Sequence, residues 1–377
     1  MVSRRSLLAA TAAAGAAAFA GAAPARATDG DQVARELPST LARSQAGGGG
    51  LAVAETEFPL THLGVRWDGA PAQLRLRGAD GWGPWRPLTA DCPTGKDEEP
   101  FAVQTASAFV DAQHSTGYEV LSGGGGEVVV TELNTMDGPL RRADDPQSGM
   151  PLPGGHVAPV TYLSRAAWGA NESYRFRPDG TEKWPVAAYP IQTINVHHQG
   201  QTLTGPDYGS AVRSLYRYLA IEKNNGDHTY HLYIDPNGVV YEGRHSGTDG
   251  VPLFQPGPDG RPLLANAGHT VGWNAGSLGI CLLGNLAVVP PTAAAIDALT
   301  TVIAGISRVG GFAPPATTTY LNPVNAYTRE IKRVSGHKDW GVVTDCPGGV
   351  YAHLKTIRTN AAGRLGTMFP EGVPFTS

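Results

Sequence analysis

The chain has 377 residues, a formal net charge of −4 at pH 7 and 41% hydrophobic residues. A chain of this length corresponds to roughly two domains and can bury a core without disulfide staples. The near-neutral net charge shows no excess of basic residues, so we expect no nucleic-acid partner. The three cysteines, Cys92, Cys281 and Cys346, are too few and odd in number for the disulfide framework of an exported protein. At least one thiol is therefore free for other chemistry.

Residues 1–27 are predicted to be a secretion signal. Residues 3–8 read Ser-Arg-Arg-Ser-Leu-Leu, an Ala-rich run follows, and Ala25-Arg26-Ala27 is a small-x-small cleavage signal. This start is similar to a twin-arginine signal, so we expect a secreted or cell-wall-associated protein. A membrane anchor is the alternative, but the Ala/Gly content and the cleavage signal argue against it. We expect no later stretch to cross a bilayer, and hence no stable membrane span in the mature protein.

Residues 28–50 are polar and Gly-rich, ending in four glycines, and predict a flexible arm. Residues 51–136 show short alternating runs, such as Val65 and Trp67, separated by Gly-containing turns. With no helical period, they predict a small antiparallel β-sandwich-like domain. Its tryptophans, Trp67, Trp82 and Trp85, are expected in the core, with contact to glycan rings as the alternative.

Residues 137–159 are rich in Pro, Gly and charge, which predicts a linker. From 160 to 366 strands alternate with helices, which predicts an α/β domain. The strands are expected at residues 191–198, 230–234, 239–241 and 277–283, and the helices around 212–219, 296–306 and 350–361. The turn Pro236-Asn237-Gly238 predicts a hairpin, so the central sheet flanked by these helices should be mixed. Residues 367–377 remain as a tail.

Three features within this domain suggest metal chemistry. His197 and His198 end an apolar strand, His337 follows another at 331–335, and Cys346 comes nine residues later. Two imidazoles and a thiolate suit Zn²⁺, and catalytic zinc takes three protein ligands with an open fourth position. Taken singly, a His at a strand end is commonly structural, and a Cys in an apolar setting is commonly inert core. Spacing alone leaves both interpretations open.

The stretch from about 160 to 365 resembles the peptidoglycan recognition protein and zinc amidase family. The resemblance rests on five blocks in order: Leu-Ser-Arg-Ala-Ala-Trp-Gly-Ala at 163–170, Val196-His197-His198, residues 230–244, residues 266–284, and Gly336-His337 with Cys346-Pro347-Gly348. It implies an N-acetylmuramoyl-L-alanine amidase that uses Zn²⁺. Its substrate would be peptidoglycan or muropeptides, cut between the lactyl group of N-acetylmuramic acid and L-alanine.

The resemblance also implies roles for single residues. The metal ligands would be His197, His337 and Cys346; Tyr230 would lie beside the zinc water, and Thr344 would contact the scissile carbonyl. His269 and Asn274 fall in a block that lines the family's substrate groove. Arg244 is a candidate for a peptide carboxylate, with an exposed hairpin charge as the alternative, and His198 is a candidate for substrate contact or for packing. His231 should point to the opposite face from Tyr230.

Two departures from the family pattern concern this site. Gln199 stands where Ser or Thr is usual, and the interval from His337 to Cys346 is one residue longer than usual. The extra residue puts the placement of Thr344 in doubt more than that of Cys346. An insertion at residues 256–260 should enlarge a rim loop without touching the metal.

Two other functions compete with the enzyme. One is a module that binds muropeptides without cutting them; in this family, loss of the metal Cys marks such members, and Cys346 is present. The other is a structural zinc site with a fourth protein ligand, for which His198 is the candidate. Cys281 is expected in the core, and a disulfide with Cys92 is disfavoured because a core strand would have to reach another domain. We expect a monomer.

Overall fold

The computed structural model describes residues 35–92, 94–97 and 105–368. The predicted secretion signal, residues 28–34 of the predicted arm and residues 369–377 of the tail lie outside the described residues. The described residues all belong to one compact unit.

The N-terminal half forms an antiparallel sheet of seven strands. Before it comes a short strand, β1 (Glu36–Pro38). The sheet strands are β2 (Leu41–Gly47), β3 (Leu51–Trp67), β4 (Ala72–Gly78), β5 (Gly81–Trp82), β6 (Arg86–Pro87), β7 (Ala106–Ser122) and β8 (Val128–Asn134). Their order is β2-β8-β3-β7-β4-β5, with β6 beside β4. The predicted antiparallel β region is therefore present, as one hydrogen-bonded sheet rather than the two sheets of a sandwich.

The edge strand β2 corrects the prediction of a flexible arm up to residue 50. It pairs with β8 along its whole length, from Leu41 opposite Asn134 to Gly47 opposite Val128. Of the four glycines that suggested an arm, Gly47 ends β2 and the other three form the turn into β3. Gly49 and Gly50 take φ values of +67° and +76°, a left-handed conformation that glycine adopts without a Cβ penalty.

Both faces of this sheet carry buried residues. Val65 and Trp67 on β3 pack with Leu74 and Val110 in a core that belongs to the sheet itself. Phe109, whose side chain points the other way, joins a second cluster that includes residues of the C-terminal half. The sheet is therefore attached to the rest of the chain through one of its faces.

Only one of the three tryptophans of this region is a core residue. Trp67 is 4% exposed, whereas Trp82 and Trp85 are each 39% exposed. The guanidinium of Arg75 lies 5.0 Å from the ring of Trp82 and 4.8 Å from that of Trp85. These two tryptophans form a surface cation–π cluster, so the expectation of three core tryptophans is wrong for them.

The predicted linker, residues 137–159, is packed against the protein. It holds β9 (Leu140–Arg142), which pairs with β1, and the hairpin of β10 (Met150–Leu152) and β11 (His156–Ala158). Met150, Leu152 and Ala158 are buried in the main core of the C-terminal half. The segment is buried because of the apolar side chains at these positions, whereas its Pro and Gly content predicted an exposed linker.

The C-terminal half is built on a mixed six-stranded sheet, as predicted. Its strands are β12 (Tyr162–Leu163), β14 (Thr193–His198), β15 (Leu232–Ile234), β16 (Val240–Glu242), β19 (Ser277–Leu282) and β22 (Val334–Gly336). They lie in the order β12-β16-β15-β19-β14-β22. Only the β15–β16 hairpin is antiparallel, which the Pro236-Asn237-Gly238 turn explains.

Smaller sheets and the helices complete this half. The remaining strands are β13 (Ala188–Tyr189), β17 (Phe254–Pro256) and β18 (Pro262–Ala265) in one sheet, and β20 (Thr317–Leu321) with β21 (Thr328–Lys332) in another. The α-helices are α1 (Arg165–Trp168), α2 (Tyr208–Arg217), α3 (Ala293–Gly310) and α4 (Val350–Met368), and a π-helical turn, Tyr218–Glu222, continues α2. Short 3-10 turns lie at Pro153–Gly155, Glu172–Arg175 and His337–Trp340.

Helix α3 is bounded by local signals. The side chain of Thr292 accepts a hydrogen bond from the Ala295 backbone N–H, and Gly311 ends the helix in the left-handed conformation at φ +64°. Among the described residues α3 is the one helix long and apolar enough by composition to cross a membrane, with 61% of that stretch buried inside the protein. The expectation that no stretch after the signal is long and apolar enough to cross a bilayer is therefore wrong for α3. The burial of α3 is that of a core helix.

Candidate metal centre

The sheet topology brings the three predicted ligands together. Strands β14 and β22 are parallel neighbours with Val196 opposite Gly336, so the next residues, His197 and His337, emerge side by side. Their ring centroids are 4.5 Å apart. Cys346, in the loop before α4, places its Sγ 3.6 Å from Nδ1 of His197. All three side chains are buried, with relative exposures of 0%, 1% and 0% for His197, His337 and Cys346.

A chain of hydrogen bonds determines which ring nitrogen of His197 carries the proton. The carbonyl of Ser277 can only accept, so Nε2 of His269, 2.9 Å away, carries the hydrogen and donates it. Nδ1 of His269 is then an acceptor, and Nε2 of His197, 3.1 Å away, donates to it. The lone pair of His197 is therefore on Nδ1, facing Cys346. Burial holds the pKa of His197 well below its ordinary value, so this lone pair stays unprotonated.

The donor set fits a zinc ion. Bonds of about 2.1 Å to nitrogen and about 2.3 Å to sulfur at a tetrahedral angle place two such atoms about 3.6 Å apart. This matches the 3.6 Å between Nδ1 of His197 and Sγ of Cys346. Nδ1 of His337 is buried and has no hydrogen-bond partner in the described part of the chain. A metal ion would satisfy an orphaned nitrogen of this kind, which otherwise costs stability.

Tyr230 and Thr344 also lie at this centre. The ring of Tyr230 meets that of His197 edge-on at 5.0 Å, and burial raises the pKa of its phenol well above the ordinary value. Tyr230 therefore keeps its proton and can act as a donor. The hydroxyl oxygen of Thr344 accepts a hydrogen bond of 3.0 Å from the backbone N–H of Cys346, so the long loop still delivers this side chain beside the ligand.

Two residues predicted to contact substrate have other positions. His269 is fully buried behind His197, which it orients. His198 turns to the backbone, where its Nδ1 accepts a hydrogen bond of 3.0 Å from the N–H of Leu286. His231 is held by the backbone on both ring nitrogens: its Nε2 donates to Ala265 O at 2.6 Å, and its Nδ1 accepts from Gly279 N at 2.9 Å.

Arg244 does not present its charge for a peptide carboxylate. It is 1% exposed, and its guanidinium donates to Asp227 at 2.7 Å and to the carbonyl of Trp184 at 2.8 Å. Asp227 also accepts from the buried Arg165 at 2.9 Å. Since a buried charge is retained only when it is paired, this is a structural network, and the predicted substrate contact is wrong.

Comparison with known proteins agrees with this geometry. Residues 187–349 match the model of the N-acetylmuramoyl-L-alanine amidase family. These residues are similar to that family. The match covers both histidines and Cys346 and lies inside the predicted domain at 160–366. The family of the domain supports hydrolysis or binding of peptidoglycan by this chain.

Solved structures similar to the chain include members of two groups. Wild-type PGRP-LB of Drosophila is 22% identical, with 52% of this chain and 92% of that chain covered and a TM-score of 0.36. Drosophila peptidoglycan recognition protein SA is 20% identical, with 52% and 91% covered and a TM-score of 0.36. The N-acetylmuramoyl-L-alanine amidase LysC of Clostridium intestinale is 20% identical, with 48% and 91% covered and a TM-score of 0.32. No curated protein matches the chain.

Sequence reasoning missed one residue at the centre of the amidase domain, Cys92. The sequence placed this thiol in a loop of the N-terminal region. In the structure, ligand atoms of Cys92, His337 and Cys346 all lie within 4.8 Å of one another, and Sγ of Cys92 is 3.2 Å from the Thr344 hydroxyl. All three cysteines are free thiols, and Cys281 is buried in the core as expected. The odd number of cysteines was the only feature of the sequence that pointed to a thiol with a further role.

The environment of Cys92 favours its thiolate. A hydrogen bond with Cys346 is the largest cause, burial opposes it, and His337 adds to it; together they lower the pKa of the Cys92 thiol to about 4. Burial raises the pKa of Cys346 well above the ordinary value.

Cys92 belongs to a segment that crosses the amidase domain, here named the strap: residues 88–92 and 94–97. The backbone N–H of Gly95 donates to Gly268 O at 2.8 Å. The carboxylate of Asp97 accepts from the backbone N–H groups of Asn274 and Ala275 at 3.0 and 2.8 Å, and from the Asn274 side chain at 2.8 Å. Asn274, predicted to contact substrate, thus holds the strap.

Proposed function

We propose that this protein is a zinc-dependent N-acetylmuramoyl-L-alanine amidase. It would hydrolyse the amide between the lactyl group of N-acetylmuramic acid and L-alanine in bacterial peptidoglycan. The observation that carries the proposal is the convergence of His197, His337 and Cys346 in one buried cluster, with Nδ1 of His197 and Sγ of Cys346 at the 3.6 Å separation that two zinc ligands have. Because peptidoglycan lies outside the cell membrane, the function also calls for the export that residues 1–27 predict.

The bound Zn²⁺ would supply a Lewis acid that polarises the amide carbonyl and a means of lowering the pKa of a water molecule. His197 provides a fixed lone pair, because the hydrogen bond to His269 leaves its Nδ1 free. The protonated phenol of Tyr230, whose ring contacts that of His197, would donate to the oxygen on which negative charge develops. Thr344 offers a second hydroxyl at the same centre.

The test is product analysis with purified peptidoglycan. Zinc-loaded mature protein is incubated with the polymer, alongside Cys92→Ala, which removes the thiol beside Thr344, and Cys346→Ala, which removes a proposed metal ligand. We expect release of free stem peptides with new alanine amino termini, and none from Cys346→Ala. If zinc-loaded wild type and Cys92→Ala both bind muropeptide without releasing stem peptide, the protein is a recognition module and the enzyme proposal is wrong.

A further inference from the structure

The metal centre has four protein groups around it rather than three. Ligand atoms of Cys92, His337 and Cys346 lie within 4.8 Å of one another, and Nδ1 of His197 is 3.6 Å from Sγ of Cys346. Nδ1 of His337, in a side chain 1% exposed, has no hydrogen-bond partner in the described residues and is independently in need of a ligand. Zinc is most often four-coordinate and tetrahedral, and thiolate sulfur is among its preferred ligands. The four groups are the number and the chemistry that a closed zinc site uses.

Contacts away from the metal hold Cys92 in place. On the N-terminal side, the backbone N–H of Asp91 donates to Ser107 O at 2.6 Å, and the Gln201 amide donates to Thr89 O at 2.7 Å. On the C-terminal side, Gly95 and Asp97 bond to the amidase domain. The strap is therefore fixed on both sides of Cys92, so the thiol is pre-positioned, and little further ordering is needed for it to bind the ion.

The centre is closed to solvent in this structure. The three family ligands are each exposed by 1% or less with the strap in place. A polymer such as peptidoglycan needs a coordination position at the metal and room beside it, and the Cys92 sulfur lies within 4.8 Å of two of the predicted ligands. Asp97 also accepts hydrogen bonds from the backbone N–H groups of Asn274 and Ala275.

We propose that Cys92 is a fourth protein ligand of the metal and that the strap thereby keeps the amidase latent. This rests on the proposed function, because it takes the metal to be the one that the amidase would use. Departure of the strap withdraws the Cys92 sulfur, which takes up a proton, and leaves the fourth position to water or substrate. The metal would then have three protein ligands in the active form and four in the latent form.

The experiment counts thiolates on the metal. The mature protein, Cys92→Ser and the control Cys281→Ala are loaded with Co²⁺ in place of Zn²⁺. Sulfur-to-cobalt charge-transfer absorption is then measured per bound ion. We expect Cys92→Ser to lose about half of that absorption, because one of two thiolate ligands is gone, and Cys281→Ala to keep all of it. Metal analysis should find one ion per chain in all three, and circular dichroism checks that each is folded.

The outcomes separate the two proposals, with peptidoglycan cleavage measured in parallel on the zinc forms. Halved absorption together with faster cleavage by Cys92→Ser supports latency. Equal absorption per cobalt in wild type and Cys92→Ser overturns the ligand role even if both cleave. A Cys92–Cys346 disulfide in the metal-loaded protein overturns it as well. Halved absorption with no cleavage by either protein keeps Cys92 as a ligand but refutes latency and the proposed function together.

Discussion

Gly64 and Tyr218 are in contact where the N-terminal sheet packs against the amidase domain, and the packing there is tight. Gly64 lies in β3, and a Cβ built on it would be 2.2 Å from two ring carbons of Tyr218 and 2.9 Å from a third. The ring is 1% exposed, and its hydroxyl donates to the carbonyl of Val65 at 3.2 Å. Phe109, on the neighbouring strand β7, packs beside it with ring centroids 6.2 Å apart. Gly64→Ala must therefore move either a buried ring or the backbone of a central strand.

The expected cost follows from this geometry. Overpacking a well-packed core costs about 1–3 kcal/mol, and the hydrogen bond of Tyr218 is worth about 1 kcal/mol if ring displacement breaks it. We expect Gly64→Ala to lower the free energy of unfolding by about 2–3 kcal/mol. Tyr218→Ala should itself cost about 3–5 kcal/mol, but it removes the obstacle. In that background Gly64→Ala should cost no more than about 0.5 kcal/mol.

Urea unfolding of the four proteins of this double-mutant cycle measures the coupling. Gly78→Ala is the matched control, since Gly78 also lies in a strand of the same sheet but a Cβ there meets nothing within 4 Å. It should change stability by less than about 0.5 kcal/mol. An equal cost of Gly64→Ala with and without the Tyr218 ring would refute the steric reasoning, because the loss would then come from the strand alone.

Three further predictions concern the site and its support. Cys346→Ala should lose zinc and activity together, as metal analysis and peptidoglycan cleavage will show; retention of one zinc per chain would contradict the ligand assignment. His269→Ala should weaken zinc binding by about 10–100-fold, because the acceptor that fixes the His197 tautomer is gone. Chelator competition measures this, and His269→Gln, which keeps an acceptor oxygen, should retain more affinity. Burial alone would raise the pKa of Asp227, but the charges of Arg165 and Arg244 outweigh it and hold that pKa well below the ordinary value. Asp227→Asn should therefore cost about 3–5 kcal/mol at pH 7. Because a lowered pKa contributes stability that is present above the unfolded value and lost as pH falls, the difference from wild type in urea unfolding should shrink below about pH 4.

The parts of the site that the sequence could predict are those set by local pattern. His197 and His337 each follow an apolar strand, and in neighbouring parallel strands such positions meet at one edge of the sheet. The end of α3 at Gly311 and the β15–β16 hairpin were likewise predictable, because glycine and turn residues act over a few positions.

The errors arose where a partner lies far away in the chain. Arg244 was ambiguous because its charge partner, Asp227, and the burial of both depend on the packing of several segments. Cys92 gave no local signal, because it contacts Thr344 across 252 positions. The glycines at 47–50 suggested an arm, since a Gly-rich stretch and a tight turn have the same composition until the pairing of β2 with β8 is known.

The order of the strap and the metal ligands along the chain has a consequence for biosynthesis. Segments that emerge first from the ribosome generally fold first. The strands of the N-terminal sheet, from Leu41 to Asn134, precede every histidine of the metal centre, so the strap and its thiol are made before the site they cover. Under the proposed function, the metal centre would therefore assemble in a chain that already carries the thiol proposed to close it.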